Sequence, residues 1–511
     1  MTSKRSLKTQ IRIPSAVHGA LLVAVLSAML LIAARSAHAQ TETVLYNFTG
    51  GTDGADPLSG LTSDAKGNFY GTAYEGGLGA GTIFELSPNG SGGWNETVLH
   101  SFNGGLNIGP DGAGPIGPVI FDRVGNLYGT TKFGGTDYVY CSYGTVFELS
   151  PVGATWNETI PLSCSCTDPA STGIFPVNGL IIDAAGNLYG TTSASGPYSG
   201  YVFELSPSDG GWPEQLLYAT SPISGLTMDA SGNIFGATSS TVFELSPNGD
   251  GSWNSTVIHT FAGPPTDGTI AEGTPVLDQS GNIYGTTYAG GAMNYGTVYK
   301  LSLGGNGAWA EKILYSFKSG TDGSNPAAGI VLDALGNIYG TTTLGGGTNN
   351  GTVFELAAQG NSHYDPLVLW TFSGTDGASP NGSLVLDSAG NLYGTTALGG
   401  SSGAGTVFEV SRGGAATATA LTSTLNPSIH GQPITFTATV TTSGPVAPTG
   451  TVNFKWGPDG IGTGTLNASG VATFTTSILK PGPYKITAVY KGDASNLAST
   501  SAIVYQGVKR K

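Results

Sequence analysis

The stretch Asp387-Ser388-Ala389-Gly390-Asn391-Leu392-Tyr393-Gly394-Thr395-Thr396 decides how this chain is read. Its pattern is Asp-x-x-Gly-Asn, then Leu, Ile or Phe, then Tyr or Phe, then Gly, and it occurs seven times. The aspartates are Asp64, Asp122, Asp183, Asp229, Asp278, Asp333 and Asp387, and the asparagines are Asn68, Asn126, Asn187, Asn233, Asn282, Asn337 and Asn391. Six steps of about 54 residues join the first asparagine to the last, a period that suits propeller blades with generous loops.

Around each copy stand four strand-like pieces, rich in β-branched and aromatic residues and bounded by Gly, Pro, Asn and Asp. Strand A precedes the aspartate, as in Gly329–Leu332, and strand B is the Asn-Leu-Tyr-Gly-Thr-Thr run, as in Asn391–Thr396. Strand C reads Gly-Thr-Val-Phe-Glu-Leu, as in Gly351–Leu356, and strand D is an aliphatic-aromatic run such as Ile313–Phe317. Four strands per unit and seven units predict an all-β, seven-bladed β-propeller. Val44–Phe48 is a D strand with no A, B or C before it, while the last repeat stops after its C strand, Gly405–Val410. The N-terminal strand is therefore expected to complete the seventh blade and close the ring, which removes sheet edges. The predicted organisation is a signal peptide over 1–39, a propeller over 40–412, a linker over 413–420 and a sandwich over 421–508.

Composition agrees with this class. Glycine supplies 82 residues, only 10% of residues are charged and 39% are hydrophobic, so turns are plentiful and a core is available. Lys4, Arg5, Lys8 and Arg12 precede an uncharged apolar run, Gly19–Ala34, and then Ala37-His38-Ala39, the layout of a secretory signal cleaved before Gln40. The run is shorter than the roughly 20 residues of a spanning helix, so no stable transmembrane segment is expected after cleavage. Residues 1–39 hold five of the 19 basic residues and no acidic ones, which leaves 14 basic against 33 acidic and a formal charge of −19. Such a surface repels nucleic acid and anionic lipid.

The repeated polar residues have structural readings. In Asp-x-x-Gly-Asn the glycine supplies a positive φ and the carboxylate accepts backbone N–H groups, so turn chemistry is expected rather than a calcium array, which would want an Asp-x-Asp-x-Asp string. Strand C carries Glu85, Glu148, Glu204, Glu244, Glu355 and Glu409, with Lys300 in the fifth unit. Duplication of one strand residue explains them better than a cation- or sugar-binding ring. Trp94, Trp156, Trp212, Trp253, Trp309 and Tyr364 open strand D and are expected to pack between sheets.

Alternating strand direction puts the A–B and C–D turns on one face and the B–C and D–A loops on the other. The second set varies in length and carries the segments Thr52–Pro57, Thr321–Pro326 and Thr375–Pro380. Variable loops on a rigid scaffold are where binding is expected. The candidate ligand-binding residues are Phe133, Tyr138, Tyr140, Tyr143, Tyr198, Tyr288 and Tyr295. The fourth unit has minimal loops at Ser239-Ser240 and Ser221-Pro222, so a cleft beside the aromatic second unit is expected. Cys141, Cys164 and Cys166 are the only cysteines, and export permits a disulfide from Cys141 to either of the other two. No nucleophile elbow, P-loop, zinc HExxH or dinucleotide fingerprint occurs, so no catalytic residue, metal site or cofactor is assigned.

The unit Asp-x-x-Gly-Asn-Leu-Tyr-Gly-Thr-Thr-x-x-Gly-Gly, followed by Gly-Thr-Val-Phe-Glu-Leu, resembles the GloVer repeat of the "choice-of-anchor" tandem-repeat proteins over roughly residues 43–412. The resemblance implies a bacterial exported or surface protein without an assigned reaction. Its members often end in an anchoring segment; here Val508-Lys509-Arg510-Lys511 follows no apolar helix. The alternating runs Ile434–Val440, Thr451–Trp456, Val471–Thr476 and Tyr484–Tyr490 suggest a sandwich. Gly431-Gln-Pro-Ile-Thr-Phe and Ile486-Thr-Ala-Val-Tyr-Lys-Gly-Asp resemble bacterial Ig-like domains, which serve as spacers or adhesive stalks. The expected function is a secreted or cell-surface binding protein for an extracellular glycan or surface protein. An extracellular glycoside hydrolase or lyase and a purely structural surface component are the alternatives; oligomeric state is left open.

Overall fold

The computed structural model describes residues 40–511 apart from 104–109, 136–142, 154, 165–173, 194–199, 361–362, 412–413, 415–416, 443–445, 458 and 494–495. The signal-peptide reading of 1–39 lies outside the described residues. No helix among those described is long and apolar enough to cross a membrane. Gln40–Arg412 form one compact unit, and Gly413–Lys511 belong to another.

Among the described residues of the first unit, seven antiparallel sheets repeat the strand order A-B-C-D, beside a two-stranded sheet of Gly268–Thr269 and Ala289–Gly290. The fifth sheet is typical: Val276–Leu277, Ile283–Thr287, Thr297–Leu303 and Trp309–Ser316. In the seventh, Val385–Leu386, Leu392–Thr396 and Thr406–Ser411 are completed by Thr41–Asn47, which pairs with Thr406–Ser411. Strand A is shorter than its sequence run suggests, two residues in every sheet. The residues just before it pack against neighbouring sheets instead: a Cβ on Gly329 would meet Thr274 and Ser383, and one on Gly60 would meet Ser383. Every C–D ladder contains a register shift, such as that between Val298 and Tyr299, and the extra D residue lengthens and twists that strand.

Strand alternation explains how the sheets join. Strand B is buried on both faces, with its Leu or Ile turned to the preceding sheet and its Tyr or Phe to the following one. Thus Tyr284 and Val298 share a cluster with Ile338 and Leu356 of the next sheet, and Tyr339 and Val353 with Leu392 and Val410. The same arrangement joins every consecutive pair. It also joins the seventh sheet to the first, where Tyr393 and Val407 pack with Phe69 and Leu86. Strand-B threonines add hydrogen bonds across these junctions: Thr286 Oγ1 donates to Ala328 O at 2.7 Å and Thr395 Oγ1 to Ser59 O at 2.6 Å. The glycine of Leu-Tyr-Gly-Thr is required because the strand-C aromatic lies over it: a Cβ on Gly340 would sit 2.7 Å from Phe354 Cζ. The D-strand tryptophans pack on the preceding sheet, as Trp212 does on Tyr128 and Trp253 on Tyr189.

The second unit is a sandwich. One sheet comprises Thr417–Ser423, Ile434–Thr442 and Val471–Thr476. The other is built on Val504–Lys509, Gly482–Tyr490, Thr451–Trp456 and Asp459–Thr465. Phe436, Phe454, Ile486 and Ala488 form its core. Residues 413–420 are not simply a linker, because Thr417–Ala420 already pair with Thr439–Thr442. The run Thr-Ala-Thr-Ala-Leu-Thr-Ser alternates small residues, and that weak contrast hid its period of two.

Candidate functional site

The seven turn aspartates are consumed by their own turns. Asp64 Oδ1 accepts Lys66 N–H at 2.8 Å and Asn68 N–H at 2.9 Å, while Oδ2 accepts Asn68 Nδ2 at 2.9 Å. Burial works to raise the Asp64 pKa, but these N–H donors outweigh it and hold the carboxyl below its ordinary value. The other six turns repeat the Asp–Asn bonds. Among the strand-C residues, Glu355 is buried and accepts Tyr339 Oη, and Lys300 lies over the Tyr284 ring at 5.2 Å.

The B–C and D–A loops meet on one face through a single recurrent position. Asp56, Gly114, Phe175, Ile270, Asn325 and Ser379 occupy it, all with φ between 51 and 62°. Each N–H donates to a carbonyl of the preceding B–C loop: Asp56 to Ala404, Gly114 to Ala80, Phe175 to Tyr143, Ile270 to Ser239, Asn325 to Tyr295 and Ser379 to Asn350. Left-handed backbone at Phe and Ile is costly, and it persists here because these bonds over-determine it. Except for Gly114, the side chains at this position are half-buried and so remain within reach of solvent. The backbone is therefore uniform while the side chain changes from unit to unit.

Phe133 and Tyr143, two of the expected binding residues, meet through Phe175: ring centroids are 5.8 Å apart for Phe133–Phe175 and 5.2 Å for Tyr143–Phe175. Lys132 Nζ lies 5.5 Å from the Phe133 centroid. Sequence reasoning missed Phe175, whose signal was its place before Pro176. Tyr288 and Tyr295 are not joined to this group but flank Asn325, since their carbonyls accept Asn325 Nδ2 and N–H respectively. Tyr295 is 39% exposed. Tyr138, Tyr140, Tyr198, Cys141 and Cys166 lie outside the described residues. Cys164 is buried, and its N–H donates to Gly144 O, next to the Tyr143–Phe175 junction.

A second set of polar residues lies between the D strands of successive sheets, and the sequence reading did not single it out. The Asp of each Thr-Asp-Gly-type loop caps the backbone after strand D and faces a strand-D donor. Tyr46 Oη donates to Asp53 at 3.1 Å, Tyr315 Oη to Asp322 at 2.7 Å and Trp370 Nε1 to Asp376 at 3.0 Å. Two units carry histidine instead of that donor. His100 Nε2 lies 3.7 Å from Asp111 Oδ2 and 3.5 Å from Glu158 Oε1 of the next sheet. His259 Nε2 lies 3.6 Å from Asp267 Oδ2 and 3.5 Å from Glu311 Oε1. Burial, and then the neighbouring Asp267, push the Glu311 carboxyl up to about 8; burial with Asp53 pushes Glu96 up to about 7. Burial lowers the His259 pKa. The readable signal was the aromatic that opens strand D with His, Tyr or Trp six residues on, as in Trp94 and His100, Trp253 and His259, Trp309 and Tyr315, or Tyr364 and Trp370, followed by the loop aspartate.

A family model described as the Gloeobacter/Verrucomicrobia repeat matches residues 33–240 and 222–452. The chain belongs to this family. Within this Gloeobacter/Verrucomicrobia repeat protein, residues 421–509 match the bacterial Ig-like domain, group 3, which accounts for the sandwich. No curated protein matches the chain. Among solved structures, the repeat protein is similar to the extracellular domain of a B. thetaiotaomicron protein described as a hybrid two-component system. The identity is 14% and the TM-score 0.46, over 92% of this chain and 57% of that one. The chain thus spans less than three-fifths of that domain. It is also similar to a gluconolactonase from Xanthomonas campestris, at 11% identity and TM-score 0.36 over 74% of this chain and 91% of that one. A polysaccharide lyase acting on ulvan matches at 9% identity and TM-score 0.43, over 73% and 96%. These values are too low for any of the three to lend its activity to the repeat protein.

Proposed function

We propose that Gln40–Arg412 form a seven-bladed β-propeller latched by its first strand, and that an exported chain uses it as a binding platform at the cell surface for a glycan or a surface protein. One observation carries this reading. At the left-handed position shared by the loop face, backbone and hydrogen bonds repeat while the side chains run Asp, Gly, Phe, Ile, Asn and Ser. Turn and core positions keep their residue types, so the divergence is concentrated where a ligand would touch the platform. The Phe133–Phe175–Tyr143 group supplies rigid aromatic area suited to a sugar face or an apolar side chain. The Ig-like unit serves as a spacer.

A glycan array and a surface-protein binding screen with the secreted chain test this. Binding is expected, and Phe133→Ala with Phe175→Ala is expected to weaken it at least about tenfold, the equivalent of ~1.4 kcal/mol. Undiminished binding by the double variant sinks the assignment of the site. Polysaccharide turnover would replace the binding reading with the enzymatic one.

A further inference from the structure

We infer that two junctions between sheets are divalent-cation sites, one formed by His100, Asp111 and Glu158 and the other by His259, Asp267 and Glu311. Each triad offers an imidazole nitrogen and two carboxylate oxygens that lie within 4.8 Å of one another. The His–carboxylate separations of 3.5–3.7 Å exceed the roughly 2.7–3.2 Å of a hydrogen bond. They fit two ligands of one ion: bonds of about 2.0–2.2 Å at a tetrahedral angle put neighbouring donor atoms roughly 3.3–3.6 Å apart.

Two independent observations point the same way. His100 Nε2, Glu158 Oε1, His259 Nε2 and Glu311 Oε1 are buried atoms without a hydrogen-bond partner, a costly state unless something else satisfies them. The related junctions also act as internal controls. Where Tyr46, Tyr315 or Trp370 holds the histidine's place, its donor closes on the loop aspartate at 2.7–3.1 Å. Histidine opens that contact; a glutamate of the next sheet also stands near the loop aspartate where Glu96 neighbours Asp53 and Glu42 neighbours Asp376, so the imidazole is what sets the two triads with Glu158 and Glu311 apart. Asp111 and Asp267 are held in place by Asn103 N–H at 3.0 Å and Ala262 N–H at 2.6 Å, as preorganised ligands should be. One imidazole with two carboxylates favours zinc or a similar transition ion over calcium or magnesium, and three protein ligands leave a fourth position for water. Such an ion would tie adjacent sheets together through their D strands.

The test is equilibrium dialysis of the secreted chain against zinc chloride alone, with bound metal counted by mass spectrometry. Two ions per chain are expected. His259→Tyr installs the residue that the D strands of the fifth and seventh sheets, with Tyr315 and Tyr46, show to be compatible with the fold; it should reduce the count to one, and adding His100→Tyr should reduce it to none. The exposed His363→Ala should leave both. Thermal melts of the same variants without metal establish that they fold. An absence of bound zinc in the unsubstituted chain overturns the inference, as does a stoichiometry indifferent to the two tyrosine substitutions in folded protein.

Discussion

Thr41 and Ser411 hydrogen-bond to each other through their hydroxyls, with oxygens 2.6 Å apart, although 370 positions separate them in the chain. They mark the far end of the ladder that joins Thr41–Asn47 to Thr406–Ser411, and Phe48 N–H extends it with a 3.1 Å bond to Gly405 O. Loop closure over such a distance costs entropy that only the packing behind the strand can offset.

Phe48 supplies much of that packing. It is fully buried and meets Phe84 of the first sheet edge-on, with centroids 5.1 Å apart. Phe48→Ala should cost about 3–5 kcal/mol and shift a single cooperative unfolding transition rather than fray one end. Denaturant melts followed by fluorescence and by circular dichroism check this, with the exposed Val124→Ala as a near-neutral control; a loss under ~1 kcal/mol would show that the latch contributes little.

Gly340→Ala puts a methyl into the Phe354 ring. A destabilisation of about 1–3 kcal/mol is expected from overpacking. Phe354→Leu in the same chain should recover part of it, so the double-mutant cycle should show a coupling of the opposite sign. Additive effects would mean that the glycine serves the backbone and not the ring.

Glu96 gives a pH dependence with a definite sign. Burial and the nearby Asp53 raise its folded pKa to about 7, above the ordinary carboxylate value. Between the two values the folded chain holds a proton that the unfolded chain has released, so this residue's contribution falls as pH rises through that window. Glu96→Gln keeps the neutral form at every pH. It should match the parent near pH 5 and exceed it by about 1–2 kcal/mol at pH 8, after discounting for partial exposure. Melting-temperature profiles from pH 5 to 8 that run parallel would contradict the assignment.

Ile270 has φ 61°, a conformation that β-branched side chains resist. Asn325 holds the equivalent place at φ 59°, and asparagine tolerates that region. Ile270→Asn should therefore stabilise the fold by about 0.5–1 kcal/mol, as read by thermal or chemical denaturation. A destabilised variant would mean that burial of the isoleucine outweighs its backbone strain.

Fold class was legible because the Asp-x-x-Gly-Asn unit is local: turn, flanking strands and the alternation of Leu392 and Tyr393 are all written within ten residues. The orphan D strand at Val44–Phe48 likewise announced its partner by what Thr406–Ser411 lacked. The loop face was legible only as variability. Phe175 could not be ranked above other loop aromatics, because what sets it apart is a backbone angle and a hydrogen bond to Tyr143 in the preceding loop. The Thr417 strand was hidden by small residues that carry little hydrophobic contrast.

By itself the sequence determined the repeat, its strand order and the need to join its ends, since these follow from periodicity and turn chemistry between near neighbours. Only the tertiary structure decided that His259, Asp267 and Glu311 share one point. A D strand, the loop after it and the D strand of the next sheet meet there because β-sheets twist and pack face to face, and that geometry relates residues a whole repeat apart.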